Sequence, residues 1–275
     1  MQRVSAVIIT HNEAINIRRT LGQLWWCDEI IVVDSFSTDN TIEVCRQYGC
    51  AVYQRAFDGY GAQKQYAVSL AKNDWVLCID ADEVLTNELV DEIQQEMVDP
   101  TAQGYLIPMR FVFMGKQFRF GKESWRYFLR LFNKQSGTFN HRKVHEKIEL
   151  AGSTKKMKYN ILHYSYRDVS QYFEKFNKYS SYGAEMSHGQ GKKRSLALIV
   201  CAIPLNFLKY YFIERNFLNG LSGFYWSVFN AFYHFVKYIK TREIYANEAA
   251  QRDMGIPPAT TFPPGNVVKT KIQPI

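Results

Sequence analysis

The sequence lacks the short glycine motifs that bind the common nucleotide cofactors. It has no G-x-G-x-x-G, which disfavours a dinucleotide-binding fold, and no G-x-x-x-x-G-K-[ST], which disfavours a phosphate-loop NTPase. Its five cysteines show no C-x-x-C spacing, so neither a zinc site nor a disulfide framework is indicated, and a reducing cytosol suits them. Low-complexity tracts are also absent, and the 275 residues can bury a full core.

No stretch of the sequence qualifies cleanly as a membrane span. The apolar stretches 196–213 and 217–239 are interrupted by polar residues, whereas a span needs about 20 apolar residues in succession. They follow Lys192-Lys193-Arg194, and their aromatic and basic content predicts an amphipathic hairpin lying in a headgroup interface. A helical subdomain packed on the core is the alternative. The N-terminal apolar run is too short for a secretion signal.

Acidic residues are scarce in the second part of the chain. Residues 1–100 hold 7 Lys+Arg against 16 Asp+Glu, a net charge of −9, so the remaining residues hold 27 against 10, a net charge of +17. This basic part is expected to face an anion, such as a phosphorylated substrate, an acidic membrane surface or nucleic acid. A solvated surface that keeps the protein soluble is the plain alternative.

Short β-rich runs alternate with helix-like stretches in the first part of the chain. The expected strands are Val4–Thr10, Glu29–Asp34, Ala51–Arg55 and Trp75–Asp80, and the expected helices between them are Glu13–Leu24, Asp39–Tyr48 and Gly61–Lys72. This alternation predicts an α/β fold with a mainly parallel sheet wrapped by helices. Ligands of such sheets bind beyond the carboxyl ends of the strands.

The stretch DWVLCIDADE places three carboxylates directly after an apolar strand. The run 75–79 is apolar on both faces of its pleat, as in a strand covered on both sides. Asp80, Asp82 and Glu83 beside such a core repel one another unless a cation compensates them. Because residues i and i+2 of an extended segment point the same way, Asp80 and Asp82 predict a Mg²⁺ or Mn²⁺ site.

The same stretch also looks like the D-x-D-x-[TV] nucleophile motif of haloacid-dehalogenase-type phosphatases. That family needs a further acidic pair downstream. After Asp99 the only aspartates are the isolated Asp168 and Asp253, which disfavours this alternative.

Five motifs then carry a more specific resemblance. They are, in order, IITHNEA, VVDSFSTDNT, DWVLCIDADE, KVHEKIE and ILHYSY, and the likeness they carry covers about residues 3–185. In this combination the sequence resembles glycosyltransferase family 2 and is similar to its lipopolysaccharide-core β-1,4-glucosyltransferase-like branch. The resemblance implies a Rossmann-like GT-A fold with helices on both faces of the sheet, a nucleotide-sugar donor and a divalent metal.

The resemblance also assigns residues to the donor site. Thr10, Asn12, Glu13 and Asp34 would contact the nucleobase and ribose, Asp80 the ribose or the metal, and Asp82 the metal, with Ala81 between them. His163 resembles the late histidine that completes the metal or diphosphate site of many such enzymes. Lys64 and Arg130 are further candidates for binding phosphate, and either could instead be a surface charge.

Transfer also needs a base that accepts the proton of the attacking sugar hydroxyl. Glu146 matches the position at which related enzymes carry an acidic base. The alternative is an ordinary ion pair of Glu146 with Lys143 or Lys147. Trp125 is a candidate for stacking on an acceptor sugar, or else a core residue.

The sequence therefore predicts an inverting, metal-dependent glycosyltransferase. It would move a hexose, with UDP-glucose as the expected donor, onto a lipid-linked or lipopolysaccharide-core glycan. The enzyme would lie at the cytoplasmic face of the inner membrane, against an anionic membrane surface and without a nucleic-acid partner. The predicted divisions are a catalytic GT-A domain over 1–165, a helical membrane-surface region over 166–248 and an extended tail over 249–275.

Two other functions stay open at this stage. A polyprenyl-phosphate sugar synthase would share the donor and the metal but use a phosphate acceptor, which needs no strong base. A non-enzymatic basic protein that binds nucleic acid or membrane is suggested by net charge alone.

Overall fold

A computed structural model of the protein describes residues 1–124, 126–140 and 146–253. The chain divides into two compact units, the first made of Met1–Val112 with Glu123–Ser165 and the second of Phe113–Lys122 with Tyr166–Ile275. Phe113–Lys122 thus departs from the predicted division, which placed every residue up to 165 in the catalytic domain. The reason is aromatic packing within the second unit, where the rings of Phe113 and Trp226 meet edge to face with centroids 5.3 Å apart.

The described chain contains twelve strands. In chain order they are β1 Val4–Thr10, β2 Glu29–Asp34, β3 Ala51–Gln54, β4 Trp75–Asp80, β5 Glu83–Leu85, β6 Gly104–Phe113, β7 Lys116–Gln117, β8 Arg126–Asn133, β9 Gly137–Phe139, β10 Ile148–Leu150, β11 Thr154–Lys156 and β12 Ile161–His163.

The main sheet of the first unit has the spatial order β3-β2-β1-β4-β8-β6-β12-β5. Strands β3, β2, β1 and β4 run parallel to one another. The sheet becomes mixed beyond them, because β8 pairs antiparallel with both β4 and β6. Strands β9 and β10 form a separate antiparallel pair.

Helices cover both faces of this sheet. They are α1 Ala14–Leu21, α2 Thr41–Gln47, α3 Tyr60–Leu70 and α4 Asn87–Glu96. Ala6 and Ile8 of β1 lie in one core with residues of α1, α2 and α4, whereas Val7 lies in a second core with residues of α3. Alternate side chains of a strand point to opposite faces, so this arrangement explains why β1 and β4 carry apolar residues at successive positions. The predicted α/β fold with a doubly covered sheet is confirmed.

The second unit is helical around an aromatic core. It contains α5 Val169–Gly189, α6 Leu196–Val200, α7 Ala202–Leu208 and α8 Gly220–Asp253, with a π-helical turn at Lys209–Ile213 and a 3₁₀ turn at Asn216–Asn219. Tyr172 of α5 packs on Phe229 of α8, with ring centroids 4.8 Å apart. Asp168 caps the start of helix α5, because its carboxylate accepts a hydrogen bond from the backbone N–H of Gln171.

The C-terminal helix corrects one predicted boundary. The extended tail was expected from residue 249, but α8 continues to Asp253. Ala249, Ala250 and Gln251 favour helix. The first helix breakers after residue 249 are Gly255 and Pro257. The rest of the predicted tail lies outside the described residues. Among the described helices, none combines the length and the apolar character that crossing a membrane requires.

Candidate active site

Three neighbouring strands of the first unit end at one edge of the sheet. In the register of the parallel strands Thr10 lies opposite Asp34 of β2, and Ile9 lies opposite Asp80 of β4. Beyond Asp80, a two-residue turn leads into β5, whose first residue is Glu83. The predicted carboxylates therefore gather at the carboxyl ends of parallel strands, where such sheets bind ligands.

Asp80 is the centre of a chain of ion pairs. Its Oδ1 lies 2.8 Å from Nζ of Lys64 on α3, and its Oδ2 lies 3.1 Å from Nη2 of Arg130 on β8. Burial would raise the pKa of Asp80, but Lys64 and Arg130 outweigh that effect and hold the pKa well below its usual range. Asp80 is therefore stabilised as a carboxylate by two fixed cations.

Glu83 adds another ion pair to this series, on the other side of Arg130. Its side chain is buried, pairs with Arg130 and accepts a hydrogen bond of 2.9 Å from the backbone N–H of Asp80. Burial raises the pKa of Glu83, and Arg130 opposes that shift without cancelling it. The Arg130 guanidinium thus pairs with two carboxylates, those of Asp80 and Glu83. Sequence reasoning missed this ion pair of Glu83, although the residue stands in the same motif as Asp80.

These contacts correct the electrostatic argument made from the sequence. A divalent ion was expected to relieve the repulsion among the clustered carboxylates. Within the first unit Lys64 and Arg130 already compensate Asp80 and Glu83. The cluster is tolerated by the folded chain itself, so its charge is not by itself evidence for a metal.

Glu146, the predicted base, belongs to the same chain of ion pairs. Its Oε1 lies 2.9 Å from Nζ of Lys64, and 19% of its side chain is exposed. The sequence offered Lys143 or Lys147 as its partner instead; Lys143 lies outside the described residues, and the contact observed is with Lys64. Lys64 therefore links the expected base to the carboxylate at the end of β4.

Asp82 and His163 form a second group beside this chain. Oδ2 of Asp82 lies 3.3 Å from Nε2 of His163, and the Ser165 hydroxyl lies 3.0 Å from His163 Nδ1. Burial lowers the pKa of His163, but the Asp82 carboxylate outweighs it and raises the pKa to about 9. The backbone N–H of Tyr164 donates to the carbonyl of Asp82, which fixes the turn against β12.

This pair can hold a divalent metal if His163 gives up its proton, because an imidazole nitrogen binds a metal only in its neutral form. A carboxylate oxygen and an imidazole nitrogen, both partly exposed, face each other closely enough to share one ion. Mg²⁺ and Mn²⁺ use few protein ligands and take water and phosphate oxygens at their other positions. Asp80, the other predicted ligand, has both carboxylate oxygens in ion pairs. In the part of the chain described, no cluster of three or more His, Cys, Asp or Glu side chains is arranged to hold a metal.

The two loops after β1 and β2 fold onto each other. Asp34 is fully buried and accepts hydrogen bonds from the backbone N–H and the hydroxyl of Ser37. Oδ1 of Asn12 accepts from the backbone N–H of Thr38 at 2.8 Å, and Asn12 has a positive φ of 55°. Thr10 Oγ1 is buried and has no hydrogen-bond partner among the described residues. Within the described residues, the Thr10 hydroxyl beside the two loops is therefore unpaired.

The remaining predicted donor-site residues have structural contacts as well. Glu13 accepts a hydrogen bond of 2.8 Å from the side chain of Asn16, and the carbonyl of Ala81 accepts one of 2.8 Å from the hydroxyl of Thr20. Sequence reasoning missed the fully buried Gln63 on α3, which donates to the hydroxyl of Ser35 and the carbonyl of Arg55. Gln63 stands one residue before Lys64, but no motif marks it.

The chain belongs to glycosyltransferase family 2, so the predicted family is confirmed and the protein is a glycosyltransferase. The model of that family, described as glycosyl transferase family 2, matches residues 5–155. An uncharacterised glycosyltransferase of Rickettsia felis is 36% identical over 256 residues, covering 88% of this chain and 90% of the relative. The lipopolysaccharide core biosynthesis glycosyltransferase LpsC of Rhizobium meliloti is 30% identical over 255 residues, covering 90% of this chain and 94% of LpsC.

Solved structures show a more distant likeness. A crystal structure of residues 1–349 of S. aureus TarS is 17% identical, covers 92% of each chain and has a TM-score of 0.45. The same part of TarS in complex with UDP-GlcNAc is 16% identical, with the same coverage and TM-score. For this chain, the mixed sheet with helices on both faces is the GT-A architecture that the sequence predicted.

Proposed function

We propose that the protein is an inverting, metal-dependent hexosyltransferase that uses a UDP-hexose, with glucose as the expected sugar. The observation that carries this proposal is the position of Lys64, 2.8 Å from Asp80 and 2.9 Å from Glu146. Through it the expected base lies next to the strand ends where the donor is expected. The acceptor would be a lipopolysaccharide-core or lipid-linked glycan, which the 30% identity to LpsC supports.

Two buried polar atoms at this edge support binding of a polar donor. Thr10 Oγ1 and Arg130 Nε lack hydrogen-bond partners within the described residues, and buried polar atoms are normally satisfied. A nucleotide sugar would supply acceptors for such groups. In this proposal Asn12, Glu13, Asp34 and the Asp80–Asp82 turn complete the nucleoside side of the donor site.

Asp82 and His163 would hold the divalent metal. When bound, Mn²⁺ or Mg²⁺ supplies positive charge to the diphosphate of the donor. Lys64 and Arg130 add fixed cations at the same edge, but each is engaged with carboxylates. Their contribution to the leaving diphosphate would therefore be electrostatic, without release from Asp80.

Glu146 would accept the proton of the attacking sugar hydroxyl. The C–O bond to the new sugar forms at the anomeric carbon as the bond to the nucleoside diphosphate breaks, so one displacement inverts that centre. Lys64 acts here as a positioning residue, because its ammonium holds the Glu146 carboxylate from a buried site with 4% of its side chain exposed.

The reaction would take place at the cytoplasmic face of the inner membrane. A lipid-linked acceptor is presented there, and the basic second part of the chain has a net charge opposite to that of anionic lipid. This location is proposed from charge and acceptor chemistry together.

A donor screen tests the proposal. The full chain is incubated with UDP-, GDP- and dTDP-hexoses, with and without Mn²⁺, and release of nucleoside diphosphate is measured. We expect slow turnover of a UDP-hexose only with the metal, and loss of that turnover in Asp82→Asn while the far-UV circular dichroism stays unchanged. Turnover of no UDP-hexose, or full turnover in Asp82→Asn, would overturn it.

A polyprenyl-phosphate sugar synthase is the competing function. It is favoured by one observation, namely that the described contact of Glu146 is with the ammonium of Lys64, as in a purely structural ion pair. Glu146→Gln distinguishes the hexosyltransferase from the polyprenyl-phosphate sugar synthase. In the first, loss of the base lowers transfer by about 10²–10⁴-fold, whereas in the second transfer is retained, because a phosphate acceptor needs no base. Glu149→Gln, an exposed carboxylate on β10, is the matched control.

A further inference from the structure

The second unit contains a basic pocket that the proposed transfer reaction does not use. It lies between the segment 192–194 and the C-terminal part of α8, and its cavity measures about 230 Å³. This is below the roughly 300–1,000 Å³ of pockets that hold drug-sized ligands, so it suits a small group. Four cations line it, namely Lys192, Lys193, Arg194 and Arg242, and no lining residue among the described ones is acidic.

Aromatic side chains hold two of these cations in place. Nζ of Lys193 lies 5.1 Å from the ring centroid of Tyr245, and Cζ of Arg194 lies 5.5 Å from that of Tyr238. Both tyrosines line the pocket from α8. Cation–π contacts fix the direction of a charge without neutralising it, so the positive potential of the pocket is retained.

The neighbouring Lys237 reports this potential. Burial lowers the pKa of Lys237, and the charges of Arg194 and Lys192 lower it further. Within the described chain no ion pair joins any of the four lining cations to a carboxylate. Cations that gather without anions indicate an anionic ligand.

Exposed apolar side chains follow the segment 192–194 of the pocket along the chain. Helix α6 begins two residues after Arg194, and its buried Ile199 lines the pocket. Leu196 and Val200 of the same helix are each 63% exposed, and Leu205 of α7 is 58% exposed. Several exposed apolar residues close in the chain to a basic site indicate a surface that meets another molecule rather than water.

We propose that the basic pocket binds the phosphate of an anionic lipid headgroup, while the exposed apolar residues of α6 and α7 enter the bilayer interface beside it. A phospholipid surface offers an anionic phosphate layer next to hydrocarbon, and this pairing matches cations beside apolar helices. A soluble phosphate would explain the pocket but would leave the apolar residues without a role. The inference does not depend on glycosyl transfer, because binding is measured without donor or acceptor.

Vesicle sedimentation of the full chain tests the proposal. Wild type is expected to bind vesicles of phosphatidylglycerol and not vesicles of phosphatidylcholine. The double variant Lys193→Gln/Arg242→Gln should bind phosphatidylglycerol about 30-fold more weakly, since each basic residue near an anionic surface contributes about a factor of five. All four substituted positions of this variant and its control are exposed, so folding should be retained, as checked by circular dichroism.

The matched control is Lys116→Gln/Lys178→Gln, which removes two exposed charges of the same unit outside the pocket. It should weaken binding by less than about threefold. If the pocket variant and the control variant lost vesicle binding equally, the proposal would be overturned, because the attraction would then come from the overall charge of the unit and not from the pocket. Unchanged vesicle binding by the pocket variant, together with lost binding of inorganic phosphate, would identify a soluble anion instead. A dimer that Leu196→Ser/Val200→Ser dissociates, with no vesicle binding, would identify a second copy.

Discussion

Nζ of Lys64 lies 2.8 Å from Oδ1 of Asp80, and only 4% of the Lys64 side chain is exposed. The same nitrogen lies 2.9 Å from Oε1 of Glu146, so one buried ammonium joins α3, the end of β4 and the segment before β10. Burial would lower the pKa of Lys64, but Asp80 outweighs it and the pKa is raised. Lys64 is therefore charged throughout the physiological range, and the geometry of the site depends on it.

Replacing Lys64 by methionine should destabilise the first unit strongly. The substitution keeps the length of the aliphatic stem but leaves Asp80 and Glu146 without their shared cation. Breaking a buried ion pair on one side costs about 3–5 kcal/mol. The free energy of unfolding, measured by urea denaturation, should fall by that amount.

Lys72→Met provides the control for this measurement. Lys72 follows α3, 88% of its side chain is exposed, and its nearest carboxylate is 4.0 Å away. Surface substitutions of this kind stay within about 0.5 kcal/mol. If Lys64→Met were no less stable than Lys72→Met, the buried chain of ion pairs would not hold the site together.

The sheet could be predicted from the sequence because its pattern is local. The bounds of β1, β2 and β4 coincide with the predicted runs, since each is a mainly apolar stretch ended by polar residues. The predicted helix ends were less accurate than the predicted strand ends. Helix α1 was expected to reach Leu24 but ends at Leu21, because Gly22 follows and Leu24 is buried in the core from a loop.

The site could be predicted only in part, because its partners are far apart in the chain. The motif DWVLCIDADE shows where carboxylates gather, but Arg130 and Glu146 come 50 and 66 positions after Asp80. The sequence offered Lys64 and Arg130 as cations for phosphate, whereas the folded chain pairs both with carboxylates. Phe113–Lys122 belongs to the second unit because its aromatic rings pack on residues such as Trp226, which comes more than 100 residues later. No local sequence pattern predicts these contacts.

Arg130 and Glu83 should behave as a coupled pair. Arg130→Met leaves the buried Glu83 carboxylate and the partly exposed Asp80 carboxylate without their guanidinium and should cost about 3–5 kcal/mol. Adding Glu83→Gln removes one of the uncompensated charges, so the double variant should regain part of the loss. A double-mutant cycle by urea denaturation should give a coupling energy of about 1–3 kcal/mol.

The exposed pair Arg3–Asp28 is the comparison for that cycle. Its atoms are 3.9 Å apart and its side chains are 80% and 42% exposed, so the coupling energy should stay below about 1 kcal/mol. Equal couplings for the buried and the exposed pair would show that Arg130 does not hold Glu83 in the way the contacts indicate.

The proposed metal ligands can be tested by binding alone. Titration of Mn²⁺ in the presence of UDP, followed by electron paramagnetic resonance, should show an affinity that falls at least about tenfold in Asp82→Asn and in His163→Gln. Even outer contacts of a metal site typically contribute about 10–100-fold, so loss of a direct ligand should do no less. Asp91→Asn, on the exposed face of α4, should bind Mn²⁺ as wild type does. Equal Mn²⁺ affinity in all four proteins would show that Asp82 and His163 are not ligands of the metal.

The stability of the protein should depend on pH through His234 in α8. Its Nε2 lies 2.9 Å from the hydroxyl of Tyr210, and its Nδ1 is buried without a hydrogen-bond partner among the described residues. Burial, followed by the charges of Lys237 and Lys209, lowers the pKa of His234 from 6.5 to about 4. Protonation in the folded state would place an unsatisfied charged N–H in the interior.

The sign of the effect follows from which state binds the proton. Between about pH 6.5 and pH 4 the unfolded chain protonates His234 and the folded chain does not, so the free energy of unfolding falls as the pH falls through this window. Between pH 7 and pH 5 the loss should be on the order of 2 kcal/mol. His234→Gln keeps a group that can hydrogen-bond Tyr210 but cannot titrate, so its free energy of unfolding, measured in urea at each pH, should lack this part of the slope. Because all other groups titrate alike in both proteins, parallel curves for wild type and His234→Gln would rule out His234 as the source.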